Sequence, residues 1–318
     1  MAATGPVLAL DIGGTKIAAG VSEPGGRLIT WTQVPTPHDV DAEQLWSTVA
    51  SLLSQVLDAA KIGPSEIAGL GCGCGGPMEW PAGLVSPLNI PAWRAFPLRQ
   101  RLADRYAGVQ VRVHNDAICV AAGEHWRGAG RGRHNVLGMV VSTGVGGGLI
   151  LGDQLIAGAS GNAGHIGHVV VDPEDGPLCV CGGRGCLEAI ARGPGLVSWA
   201  QAEGWRPGQA GMSAKELAAD AAAGHQVGLA AMRRAGRALG IAIASATNLC
   251  DLEVVAIGGG LSQAGALLFD PLQEALAAHA MLDFAREVRV VPAALGQSAG
   301  LVGAAALIMA GQRYWTGD

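Results

Sequence analysis

The sequence predicts an α/β protein built in two lobes. Strand-like apolar runs alternate with helical patterns along most of the chain, and three of those runs end in glycine-rich turns. At 318 residues the chain also exceeds the roughly 250 to 300 residues that one hydrophobic core ordinarily serves.

The elements follow in order. Residues 7–11 (VLALD) form an apolar run that stops at Gly13 and Gly14 and resumes as TKIAAGVSE and then RLITWTQV, the pattern of a strand meander. Residues 41–59 place Leu45, Val49, Leu52, Leu53 and Val56 on one face of a helix. A buried strand at 67–72, a loop rich in proline and glycine at 75–93, a helix at 98–106, a strand at 109–113 and a helix from Asp116 come next. The segment VLGMVVSTGVGGGLILGD, residues 136–153, repeats the opening design of strand, glycine-rich reversal and strand, as an internal duplication would. A long helical pattern at 227–248 precedes a third glycine-rich strand end, EVVAIGGGLS at 253–262.

Composition narrows the function. The chain is 49% hydrophobic and 15% charged, too apolar for disorder, and its 50 glycines lack the strict period of a collagen. Net charge is -5 and no long basic run occurs, so nucleic acid is not an expected partner. The amino terminus has an early Asp11 and no basic segment, and AGLVGAAALIMAG is too short to cross a bilayer as a helix. A cytoplasmic protein without membrane partners is expected, and its seven cysteines suit thiols or metal ligands better than a disulfide framework.

A single glycine-rich turn often does no more than connect strands. Three at strand ends, one opening with Asp11 and one with Ser142 and Thr143, offer clustered backbone N–H groups without side-chain cover, as a polyphosphate requires.

The segments LALDIGGTK (8–16), HNDAICVAAGE (114–124), VSTGVGGG (141–148) and GHIGHVVVDPEDGPLCVCGGRGCLEAIA (164–191) together resemble the ROK family of sugar kinases and related repressors. The resemblance spans nearly the whole chain. It implies an actin-like, ribonuclease-H-like two-lobe ATPase fold with a structural zinc loop, sugar and ATP lying between the lobes. Residues 1–115 plus 297–318 would form the small lobe and 116–296 the large one. A homodimer acting on a small-molecule sugar is implied too. Repressors of the family need a helix-turn-helix before the sugar domain, and the first phosphate motif here begins a few residues from Met1, so a kinase is expected.

Phosphoryl transfer asks for positioning and charge neutralisation. Asp11 would orient Mg²⁺, although it would also serve as a turn residue, and Gly13, Gly14 and Thr15 would approach the ATP phosphates with Lys16 adding charge. Thr143, Gly144 and Gly146 would supply a second cradle, and Gly258, Gly259 and Gly260 would adjoin the adenosine. Asp116 follows a strand and opens a helix, where it would also make a good cap. The family motif implies that it accepts the proton of the sugar 6-hydroxyl while Asn115 binds a ring hydroxyl.

Cys179, Cys181 and Cys186 in CVCGGRGC, with His168 eleven residues earlier, make one imidazole and three thiols, a tetrahedral zinc set rather than a cluster of buried thiols. Four protein ligands leave no place for an activated water, so the Zn²⁺ is expected to be structural. Sugar contacts are expected from Gly75, Gly76, Asn89, Asn115, Asp116, His165, His168 and Glu188, Asn89 being equally suited to stabilising a turn. Cys72 and Cys74 are expected to pack a strand end, and His114, His125 and His134 to be structural or exposed. Most family kinases carry Glu-x-Gly-His where this chain has His165-Ile166-Gly167-His168. Imidazole for carboxylate changes which substituents near the anomeric carbon are satisfied, and an unpaired buried polar group costs about 1–3 kcal/mol. The GHIGH string is similar to a bacterial N-acetylmannosamine kinase branch, which makes that sugar the leading expectation ahead of glucose and N-acetylglucosamine.

Overall fold

A computed structural model describes residues 4–207 and 211–317. The chain divides into two compact units, Met1–Gly132 with Gly148–Gly164 and Gln297–Asp318, and Arg133–Gly147 with His165–Gly296.

The first unit is built on a five-stranded sheet. Strands β1 (Val7–Ile12), β2 (Lys16–Ser22) and β3 (Leu28–Pro35) form the meander, followed by helix α1 (Ala42–Ala60), β4 (Gly69–Cys74), short strands β5 (Met78–Glu79), β6 (Leu84–Val85) and β7 (Phe96–Pro97), helix α2 (Leu98–Arg105), β8 (Val111–Asn115) and helix α3 (Asp116–Arg127). The sheet order is β3-β2-β1-β4-β8, with β1, β4 and β8 parallel. Helix α1 forms because Asp41 caps it through a reciprocal pair with Gln44 and because Leu45, Val49, Leu52, Leu53 and Val56 bury one stripe.

The second unit contains β9 (Val136–Val141), and β10 (Val145–Leu151) leads from it back into the first unit, where β11 (Gln154–Leu155) lies. Helices α4 (Leu187–Ala191), α5 (Gly193–Ala202), α6 (Ala214–Ala222) and α7 (Gln226–Cys250), strand β12 (Val254–Gly258), helices α8 (Ala266–His279) and α9 (Asp283–Arg286), and strand β13 (Arg289–Pro292) complete it. The sheet order is β11-β10-β9-β12-β13. Numbered by appearance, both sheets read 3-2-1-4-5, and in both the last three strands are parallel, which fits the duplication read from the sequence.

The chain ends with α10 (Ala299–Met309) and α11 (Gly311–Tyr314). Every residue of α10 is buried, because the helix is apolar all round and packs within the first unit. Its close approach depends on missing side chains: a Cβ on Gly71 would fall 2.6 Å from the carbonyl carbon of Ala304, and one on Gly303 would fall 3.0 Å from the Cα of Cys119. This packing makes the observed division differ from the expected one after Asn115, since α3 is held to α10 and stays with the first unit. Strands expected at 67–72 and 109–113 run to Cys74 and Asn115, because the parallel pairing continues to those residues.

Candidate active site

The register of β1, β4 and β8 assembles the first group. Asp11 pairs with Gly73, and Cys74 pairs with both Ile12 and Asn115, so Asp11, Gly75 and Asp116 emerge at the carboxyl ends of three adjacent parallel strands. Open α/β sheets bind ligands at that end.

Asn115 is the N-cap of α3, and Ala117 N–H donates both to its Oδ1 at 3.0 Å and to Oδ1 of Asp116 at 2.8 Å. The second oxygen of Asp116 faces Gly75, where a Cβ would stand 4.0 Å away. Burial raises the pKa of Asp116, opposed by the bond from Ala117. Asp11 is raised to about 7, first by burial and then by the charge of Asp116, with Lys16 acting the other way. Two carboxylates that resist joint ionisation suit a hard divalent cation, which would relieve both.

The β1–β2 turn is tied from within. Gly13 N–H donates to Lys16 O at 3.0 Å, and Thr36 holds both sides of the turn through its N–H to Thr15 O at 3.1 Å and its Oγ1 to Gly13 O at 2.7 Å. The Gly13 N–H is thus spent inside the turn. Gly14 is bare because Asn89 lies over it, the Asn89 Cβ being 2.5 Å from where a Gly14 Cβ would sit. Asn89 therefore meets the β1–β2 turn, whereas Gly76 lies against Asn115, whose amide nitrogen would be 3.1 Å from its Cβ.

In the second unit β9 and β12 run parallel with Gly258 paired to Val140, so their two glycine-rich ends adjoin. Gly259 has φ 92°, a conformation that favours glycine, and a side chain there would strike the carbonyl of Val141. The turn carrying Thr143, Gly144 and Gly146 is closed by Ser142 N–H to Gly144 O at 2.8 Å. Glu188 Oε2 accepts Val145 N–H at 2.9 Å. One oxygen of Glu188 is thereby committed to this turn, and His165 stacks on His168 with ring centroids 6.3 Å apart.

The metal set converges. The ligand atoms of His168, Cys179, Cys181 and Cys186 all lie within 4.8 Å of one another, with Cys181 Sγ to Cys186 Sγ at 3.8 Å and Cys179 Sγ to His168 Nδ1 at 3.7 Å. Tetrahedral zinc with bonds of about 2.3 Å to sulfur and about 2.05 Å to nitrogen places such ligands about 3.8 and 3.6 Å apart, so the residues fit the ion. Without a cation, burial and then the neighbouring sulfurs push the Cys186 thiol up to about 12, and three thiolates need a positive charge to coexist. The loop closes through Cys179 N–H to Gly183 O at 2.7 Å, and Gly185 has φ 71° where the carbonyl of Asp172 leaves no room for a side chain. Cys72 and Cys74 lie buried in β4 outside this set, their thiols raised by burial.

Two contributors escaped the sequence reading. Thr36, buried at the end of β3, clamps the first turn, and only a threonine after a strand announces it. Gly300 in the first turn of α10 gives Asp11 its space, since a Cβ there would lie 2.6 Å from the carboxyl carbon.

Residues 7–310 match the model of the ROK family. The glucokinase of Thermotoga maritima is 33% identical over 315 residues, covering 95% of this chain and 96% of that protein. An N-acetylmannosamine kinase of Escherichia coli is 34% identical over 303 residues, covering 95% and 98%. Among solved structures, a ROK family glucokinase from Streptomyces griseus in complex with glucose and AMPPNP superposes with TM-score 0.81 at 33% identity, covering 96% of this chain and 99% of that one.

Proposed function

The chain belongs to the ROK family and is a sugar kinase, and from that premise we propose that it phosphorylates the 6-hydroxyl of an N-acetylhexosamine or hexose with ATP, N-acetylmannosamine foremost. The observation that carries the chemistry is the strand register that sets Asp11, Gly75 and Asp116 at one sheet end.

Asp116 is held at Oδ1 by Ala117, and its other oxygen receives the hydroxyl proton while the sugar oxygen bonds to the γ-phosphorus and the bond to ADP breaks. Burial suits it to this task, because a raised pKa makes a stronger base. Asn115 and Gly76 offer an amide and bare backbone to ring hydroxyls, and Gly14, Thr15, Lys16, Thr143 and Gly146 attend the phosphates, with Gly258 to Gly260 near the adenosine. Mg²⁺ supplies charge neutralisation at the phosphates when bound, and Asp11 would orient it. His168, Cys179, Cys181 and Cys186 would hold Zn²⁺, which would fix the loop bearing His165, His168 and Glu188. A cytoplasmic homodimer is part of the same reading; among the described residues no helix is long and apolar enough to cross a membrane.

The choice of N-acetylmannosamine rests on His165, which replaces an anionic acceptor in the GHIGH segment. Glucose is the second reading, favoured by the glucokinase relative. An ADP-release panel with N-acetylmannosamine, N-acetylglucosamine, glucose and mannose decides between them. The highest kcat/KM is expected on N-acetylmannosamine. Turnover of glucose alone would remove the substrate reading, and ADP release with none of the four would remove the kinase.

A further inference from the structure

Immediately before the capping residue Asn115, on the edge strand of the first sheet, stands a fully buried histidine. His114 Nδ1 accepts the N–H of Asn115 at 2.9 Å. An imidazole accepts through Nδ1 only when that nitrogen carries no proton, so the neutral ring has its hydrogen on Nε2. Its face lies on Trp80, with centroids 5.5 Å apart and planes 30° apart, and its edge meets Trp315 at 6.2 Å. Trp80 ends the segment that begins with Gly75 and Gly76, and it is seated closely, since a Cβ on Gly161 would fall 2.5 Å from its Cγ. The ring thus touches the entrance of α3 on one side and the glycine segment on the other.

We propose that His114 is a positioning residue for phosphoryl transfer: its Nδ1 fixes the Asn115 amide where β8 passes into α3, and so aims Asn115 and Asp116. Asn115 must leave the strand extended, at φ -63° and ψ 143°, while its side chain and that of Asp116 share the Ala117 N–H. A rotation of that peptide turns both side chains. The hydrogen bond that its N–H gives to the preceding ring is the local contact that holds it, and the packing on Trp80 holds the ring. This inference rests on Asp116 being the base.

The test compares His114→Phe with His114→Asn in the full chain. Phenylalanine keeps the aromatic stack and loses the acceptor. Asparagine loses the ring and can place its carbonyl oxygen near the position of Nδ1. His114→Phe is expected to lower kcat by about 10- to 100-fold, the scale for a misplaced catalytic group, while KM for ATP holds. His114→Asn is expected to recover about tenfold of that loss despite a lower melting temperature. The reverse order, with Phe active and Asn impaired, would mean that the ring only packs and would overturn the proposal. Nitrogen-15 NMR of the wild-type histidines gives a test that needs no variant: a proton on Nδ1 of His114 overturns it, and one on Nε2 supports it. Asp116→Asn measured in parallel separates the two readings. An inactive Asp116→Asn beside a fully active His114→Phe removes this inference alone, whereas a fully active Asp116→Asn removes the base and this inference with it.

Discussion

Replacing Gly300 by alanine tests whether Asp11 has to stand where it does. The new Cβ would lie 2.6 Å from the carboxyl carbon of Asp11 and closer still to its Oδ2, and ordinary contact begins at 3.4 Å, so the carboxylate has to retreat by at least the difference, about 0.8 Å. Stability barely notices: alanine gains up to about 1 kcal/mol of helix propensity, and an Asp11 side chain forced about 30° off its rotamer loses about 0.5–1.5 kcal/mol. Activity is far more sensitive, because a displacement near 1 Å costs about 10²-fold. The expected outcome is a melting temperature within a few degrees of wild type and a kcat/KM for Mg·ATP lower by one to two decades. Thermal melts and initial rates over a matrix of Mg²⁺ and ATP read both quantities. Wild-type kinetics would refute the placement of Asp11 in the reaction, and a collapse of stability would show that the carboxylate cannot yield as described.

Asp116→Asn should keep the fold and the sugar affinity while kcat drops by about 10²- to 10⁴-fold, the usual worth of a general base; single-turnover rates near wild type would exclude that role. Because Asp11 is raised to about 7, the folded metal-free protein holds its proton across a range where the unfolded chain, at 3.8, has lost it. Its contribution to stability therefore falls as pH rises from about 4 to about 7. Mg²⁺ binding should tighten over the upper part of that range and release protons near pH 7; calorimetry in buffers of different ionisation heat would show no buffer dependence if Asp11 were not the ligand-orienting acid. Chelation of zinc, or Cys179→Ser, should weaken the binding of a non-hydrolysable ATP analogue as well as of sugar, because α4 follows directly on Cys186 and its Glu188 holds Val145. Unchanged analogue affinity in the metal-free protein would break that link.

The fold was largely readable because three strand runs ended in glycine-rich turns and α1 declared an apolar stripe. The convergence of His168, Cys179, Cys181 and Cys186 was readable for a similar reason: the four fall within nineteen residues, and local spacing constrains local geometry. Contacts between distant segments were not readable. That Asn89 lies on Gly14, seventy-five positions away, could not be read, because the path of the 75–93 loop is set by packing that no periodicity encodes. Glu188 showed its chemistry in the sequence but not that one of its oxygens serves Val145. Gly300 and Thr36 carry no chemistry of their own, and their importance appears only where their neighbours are seen.

The burial of α10 against Gly71 and beside Cys119 has a consequence for synthesis. Domains commonly fold as they emerge from the ribosome, amino-terminal first. Here the layer that seals β4 and α3 is made after all of the second unit, so the earlier-born half must wait with an apolar surface uncovered while the later-born half is free to finish. Nascent chains halted before Gln297 should thus attract chaperones through their oldest residues.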